Sequence, residues 1–140
     1  MTTPPQLFQF ALLVRDYDEA IAWYTRALGW VLIEDTPRAP GKRWVVIGQP
    51  EGVQVLLARA ADEAQAAHIG RQGGGRVWLF LRSADFDADY ARLAAAGARF
   101  TETPRSEAYG RVVVFEDLYG NRWDLIGAPI TAAADSSLAG

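Results

Sequence analysis

Two kinds of apolar period run along the chain. Leu7 to Val14 and Val77 to Arg82 are short, rich in aliphatic and aromatic residues, and each stops just before a helix-capping signal. Both are read as strands. After the first, Asp16 can cap a helix, with Glu19 as its capping-box partner three residues on. Ile21, Tyr24 and Leu28 recur at helical spacing and Gly29 supplies the stop. After the second, Asp85 is the cap, Phe86, Tyr90 and Leu93 form the stripe, and Gly97 ends it. Three short strands are predicted behind each helix. They are Val31 to Asp35, Arg43 to Ile47 and Val53 to Leu57, then Arg99 to Glu102, Arg111 to Glu116 and Arg122 to Ile126.

The two halves read as copies of one unit. Arg43-Trp44-Val45-Val46-Ile47 precedes Gly52 at the same distance that Arg111-Val112-Val113-Val114-Phe115 precedes Gly120, and the offset between the halves is 68 residues. Gly29 meets Gly97 at that offset, and Asp16-Tyr17-Asp18 meets Asp85-Phe86-Asp87 at 69. An ordered series of matches across both halves points to duplication. The expected organisation is a first module over about 7–58, a linker over 59–75 with an Ala-rich front and a flexible Arg71-Gln72-Gly73-Gly74-Gly75 loop, a second module over about 76–127, and a loose tail over 131–140.

Composition narrows the function classes. Half of the 140 residues are apolar, enough for a sizeable core. The formal net charge is −3, with acidic and basic residues interspersed, which argues against a nucleic-acid or anionic-membrane partner. There is no cysteine, so thiolate chemistry and Cys-ligated metals are excluded. The apolar run Phe8 to Val14 has no signal-peptide context and is too short to span a bilayer. A cytoplasmic location is expected. His68 is the single histidine, placed in the linker beyond Glu63, and is read as a solvated residue at a helix end. Gly73-Gly74-Gly75 lacks the lysine and the strand-then-helix context of a phosphate loop.

Val14-Arg15-Asp16-Tyr17-Asp18-Glu19-Ala20-Ile21-Ala22-Trp23-Tyr24 followed by Leu28-Gly29, the matching Asp85 to Leu93 with Ala95-Ala96-Gly97, and Glu116-Asp117-Leu118-Tyr119-Gly120-Asn121-Arg122-Trp123-Asp124-Leu125 carry a recognisable pattern. The chain resembles the vicinal oxygen chelate superfamily of glyoxalases, bleomycin-resistance proteins and extradiol, ring-cleaving dioxygenases. The resemblance implies an α+β fold in which two tandem βαβββ modules form a curved mixed sheet around a cup, with helices outside. It also implies a homodimer in many members. Enzymes of the family hold a divalent metal in the cup, whereas binding members use the hollow without one.

Period-two alternation then sorts the strand faces. Phe8, Phe10, Leu12 and Val14 fit the helix side of the first strand, leaving Gln9, Ala11 and Leu13 for the cup. Val77, Leu79 and Leu81 fit the helix side of its counterpart, leaving Trp78, Phe80 and Arg82. Val55, Leu57, Trp123 and Leu125 are helix-facing, and Gln54, Leu56, Arg122, Asp124 and Ile126 are cup-facing. The resemblance carries the family's metal positions onto Gln9, Leu56, Trp78 and Asp124. Only Asp124 is a good ligand, and a site for Zn, Ni, Mn or Fe needs three or four N or O donors. No metal or other cofactor is expected.

The expected function is a small-molecule binding protein of the glyoxalase/bleomycin-resistance type. Its ligand would be planar or amphipathic, held by Gln9, Leu56, Trp78, Phe80, Arg122 and Asp124. The alternative is a lyase, isomerase or dioxygenase of the superfamily, using an unconventional metal or Asp124 as acid or base. A blander reading fills the cup with the protein's own side chains. Asp124 could equally be tied up by Arg122 or Arg111. Trp44 and Tyr109 are further wall candidates whose facing the pattern leaves open, and Trp23 and Tyr24 are read as packing on the outer helix.

Overall fold

The computed structural model describes residues 2–128; the tail expected over 131–140 lies outside them. The chain divides into two compact units between Ile69 and Gly70, inside the expected linker. In the first, β1 (Gln9–Val14), α1 (Tyr17–Leu28), β2 (Val31–Ala39), β3 (Lys42–Gly48) and β4 (Gln54–Arg59) are followed by the short α2 (Glu63–Ala66). In the second, β5 (Val77–Ser83), α3 (Phe86–Ala95), β6 (Arg99–Phe100), β7 (Arg105–Glu107), β8 (Gly110–Glu116) and β9 (Arg122–Gly127) follow one another. The strand orders are β1-β4-β3-β2 and β5-β9-β8-β6, with β7 also paired to β8. In each sheet the first and last strands pair parallel and the remaining neighbours antiparallel. The α+β class and the βαβββ plan of each half follow as expected, and β7 is an addition in the second.

The helices start and stop where the capping chemistry puts them. Asp16 accepts from the Glu19 N–H at 2.8 Å, and Asp85 accepts from the Ala88 N–H at 3.1 Å. Gly29 and Gly97 both take positive φ, 70° and 86°, which a side chain would resist. The buried stripe of α1 differs from the expected one. Tyr17, Ala20, Trp23, Tyr24 and Ala27 are buried, while Ile21 and Leu28 are only partly covered. Two alanines let the helix lie close to its sheet, and small residues are easily passed over when a stripe is counted by large ones.

The core sits between helix and sheet in each unit. Leu12, Val14, Val45, Ile47, Val55 and Leu57 are fully buried in the first. In the second a run of rings crosses the interior: Phe86–Tyr90, Tyr90–Phe100, Phe100–Phe115 and Phe115–Trp123, with centroids 6.1, 4.4, 6.4 and 6.0 Å apart. Such offset contacts add to what area burial alone supplies.

One polar fastening is built twice. Arg43 of β3 lies over the Tyr17 ring (5.1 Å) and pairs with Asp18 at 2.9 Å. Arg111 of β8 lies over the Phe86 ring (4.3 Å) and pairs with Asp87 at 2.8 Å. Each clasp joins the start of a helix to the strand beneath it, and the guanidinium holds the Asp87 carboxyl below the usual carboxylate range.

Three expectations change at strand ends. Phe8 precedes β1 and is 66% exposed rather than helix-facing, although its carbonyl accepts from the Gln54 N–H at 2.8 Å. β2 continues through Thr36 to Ala39, beyond the expected Val31 to Asp35. Arg105–Glu107 form β7, between the expected strands Arg99 to Glu102 and Arg111 to Glu116. In both cases a strand pairs across a tight hairpin, and pairing outweighs the local turn-like composition.

Candidate functional site

The site is built on β5 and β9 of the second unit. These strands run parallel with Phe80 opposite Asp124, Leu81 opposite Leu125 and Arg82 opposite Ile126. Trp123 and Leu125 point into the core at 2% exposure, so alternation turns Asp124 to the open face. Phe80 shares that face and is 63% exposed. Beside this bare ring, the Asp124 Oδ1 is shut off from solvent and has no hydrogen-bond partner. Desolvation pushes the Asp124 carboxyl above its ordinary value, the positive charge of Arg105 pulls it back, and Glu102 raises it further. Of the arginines offered as partners for Asp124, Arg122 pairs with Glu116 at 3.5 Å and Arg111 with Asp87.

A residue that the sequence reasoning passed over holds β9 in place. The buried Asp117 carboxylate accepts from the N–H groups of Tyr119, Gly120 and Asn121 at 2.9–3.0 Å through Oδ1. Its Oδ2 accepts from Asn121 Nδ2 at 3.1 Å and from Trp123 Nε1 at 2.9 Å. One side chain thereby closes the β8–β9 turn and pins the strand residue adjacent to Asp124. The signal was available: an Asp followed at three and four residues by Gly and Asn is turn chemistry.

Trp78 occupies a different setting from Phe80. The register slips between Val77, which pairs with Arg122, and Leu79, which pairs with Trp123. This bulge at Trp78 interrupts the strict alternation that placed Trp78 and Phe80 on one face. Trp78 is partly buried and packs on Gly73, where an added Cβ would stand 2.6 Å from the Trp78 Cβ. Gly73, in the segment read as a flexible loop, thus lies against Trp78, and only a glycine fits at that point, while Gly74 and Gly75 stay open. Tyr109 is exposed, and hydrogen bonding to Glu102, and then to Tyr109, raises the Arg105 guanidinium.

The remaining candidates belong to the first unit. Gln9 pairs in register with Gln54, and Ala11 with Leu56. Gln9 and Leu56 share the face opposite the buried Leu12, Val14, Val55 and Leu57. The duplication makes Ala11 and Leu56 the counterparts of Phe80 and Asp124. The aromatic–carboxylate pair therefore exists in one half alone. Trp44 lies beneath the Arg38 guanidinium at 5.3 Å. His68 is exposed in the turn after α2.

The residues at the family's metal positions do not make a metal site. Asp124 offers a carboxylate and Gln9 an amide oxygen, while Leu56 and Trp78 offer no donor. The bulge puts Val77 rather than Trp78 opposite Arg122, and valine is no better a ligand. Among the described residues, no three His, Cys, Asp or Glu side chains are grouped to hold an ion.

Paired βαβββ units with open sheet faces define a class of proteins. The sequence profile of the Glyoxalase/Bleomycin resistance protein/Dioxygenase superfamily matches residues 6–125. The chain belongs to that superfamily. An uncharacterized protein of Shewanella frigidimarina (strain NCIMB 400) is 51% identical over 123 residues, covering 86% of this chain and 91% of that protein. Among solved structures, UcmS2 aligns with a TM-score of 0.74 at 26% identity, covering 89% of this chain and 98% of that one. TnmS3, described as an antibiotic binding protein from Streptomyces sp. CB03234, aligns with a TM-score of 0.73 at 25% identity, covering 91% and 99%.

Proposed function

We propose that this protein binds a small planar or amphipathic molecule, without a metal, on the open sheet face of its second unit. The observation that carries the reading is the Phe80–Asp124 pair. A large ring is left in water beside a carboxylate with one oxygen shut off from solvent and without a hydrogen-bond partner. Both are unfavourable in the free protein, and one flat ligand with a polar edge would relieve both. Arg122 lies two residues from Asp124 on the same face of β9 and would add a contact, and Trp78, at the β5 bulge, is a further candidate off the strict alternation. Gln9 and Leu56 are the candidates from the first unit. The donor set at the metal positions supports a metal-free site, and the description of TnmS3 as antibiotic binding supports a ligand-binding role.

A homodimer and a cytoplasmic location are part of the same proposal. Exposed Leu7, Phe8, Val31, Leu32 and Val53 in the first unit supply apolar surface for pairing. Among the described residues no helix is long and apolar enough to cross a membrane.

A second reading has one observation in its favour. Desolvation raises the Asp124 carboxyl, the direction that would favour a general base in a lyase, isomerase or dioxygenase of the superfamily working with an unconventional metal or with Asp124 as acid or base. A thermal-shift screen of planar aromatic compounds tests the binding reading. Stabilising compounds are expected, with the shift cut severalfold in Phe80→Ala and in Asp124→Ala. An empty screen, or hits indifferent to both substitutions, would refute it.

A further inference from the structure

The charges around Asp124 fall into a pattern. Arg122 pairs with Glu116 at 3.5 Å, and Arg99 reaches the same glutamate at 3.7 Å. Arg105 is held by Glu102 at 2.9 Å and by Glu107 at 3.4 Å. Glu102 also accepts the Val114 N–H at 3.0 Å, and Val114 is the β8 residue in register with Asp124. The cations on β6, β7 and β9 are thus each matched by a glutamate, while Asp124 Oδ1 is left without a donor. Arg82 shares the face, exposed, one register step from the pair. Asp124 is partly exposed, and a carboxylate with one oxygen desolvated and unpaired is stabilised most by a positively charged donor at its accessible edge. The adjacent Phe80 ring attracts flat rings and cations alike.

We propose that this face selects aromatic ligands bearing a cationic or N–H-donating nitrogen, with Phe80 against the ring and the partly exposed Asp124 carboxylate accepting from the nitrogen. The inference rests on the binding reading above and gives it a ligand class. An anionic ligand of the same shape would bring negative charge to an oxygen that already lacks a donor. Arg82 is the group that could hold such an anion instead.

Isosteric probes separate these cases. 9-Aminoacridine is a planar cation, 9-anthracenecarboxylate a planar anion, and 9-anthracenemethanol a neutral ring of the same width. Affinities are read by fluorescence titration near pH 8. The cation should bind about tenfold or more tightly than the anion. Asp124→Asn should abolish that preference. Phe80→Ala should weaken all three together. In wild type, which avoids any folding defect of a variant, the preference should fade as pH falls and the Asp124 carboxyl takes up its proton. Glu102 lies close enough to act on Asp124, so the pH series is repeated in Asp124→Asn, where it should be flat. If no ring probe binds wild type, the binding reading itself fails. If the probes bind without charge preference, or the preference survives in Asp124→Asn, the binding reading stands and this inference fails. Tighter anion binding that is lost in Arg82→Gln would likewise overturn it.

Discussion

Asp117→Ala should be among the most damaging single changes in the second unit. The carboxylate accepts from three turn N–H groups, from the Asn121 amide and from the Trp123 indole. Without it, the Tyr119 and Gly120 N–H groups can turn toward water. The Asn121 and Trp123 donors cannot, because both residues are only 2% exposed. A stranded buried donor costs about 1–3 kcal/mol, and bonds to a charged acceptor are at the strong end of the scale. Two such donors plus a loosened turn come to about 3–5 kcal/mol, within the range of a broken buried network. At about 2–4 °C per kcal/mol for a chain of this size, the melting point should fall by roughly 6–20 °C. Asp117→Asn should fall between, since its oxygen can serve the turn while its amide meets the Asn121 and Trp123 donors head-on. Asp87→Ala, which removes an exposed partner of Arg111, should change the melt only slightly. Differential scanning calorimetry, with tryptophan fluorescence to follow Trp123, reads all three. A melt of Asp117→Ala within about 2 °C of wild type would show that the carboxylate does not fix the β9 register.

Phe80→Ala should leave the melting point almost unchanged, whereas Phe115→Ala, at the buried end of the ring run, should cost about 3–5 kcal/mol in a denaturant titration. Asp124→Asn should be at least as stable as wild type at neutral pH. A folded carboxyl raised above its unfolded value takes up its proton more readily in the native state, so wild-type stability falls as pH rises through that window and the gap closes in acid; a gap that widens in acid would reverse the sign. Elemental analysis after dialysis should find well under one equivalent of Zn, Ni, Mn or Fe per chain, and near-stoichiometric metal lost in Asp124→Ala would refute the metal-free proposal. Light scattering should report about twice the 15.3 kDa chain mass, and a monomer at micromolar concentration would refute the dimer.

What the sequence made legible was whatever a local rule governs. Caps at Asp16 and Asp85 and stops at Gly29 and Gly97 are short-range chemistry, and they stand within a residue of where the spacing put them. The faces of β4 and β9 follow from alternation alone. Features that depend on a partner strand were less visible. The bulge at Trp78 exists because β5 must stay in step with β9, and nothing within Val77 to Arg82 announces it. Strand pairing at Thr36–Ala39 and at Arg105–Glu107 overrides residues that look like turn. Asp117 was quoted as part of a motif, yet its role appears only when Trp123 folds back to meet it. Asp124 was legible as a candidate by position, but the state of its oxygen required the neighbours that desolvate it.

The doubled clasp, Arg43 on Tyr17 and Asp18, Arg111 on Phe86 and Asp87, bears on how such a chain can change over time. Each half carries its own rivet between helix and sheet, on the side away from the open face. Substitutions on one open face therefore need not be answered by repacking in the other half. Ala11 and Leu56 on one side, Phe80 and Asp124 on the other, are what that independence permits. One repeat carries Ala11 and Leu56 where its twin carries a ring and an acid, and the rivets hold in both.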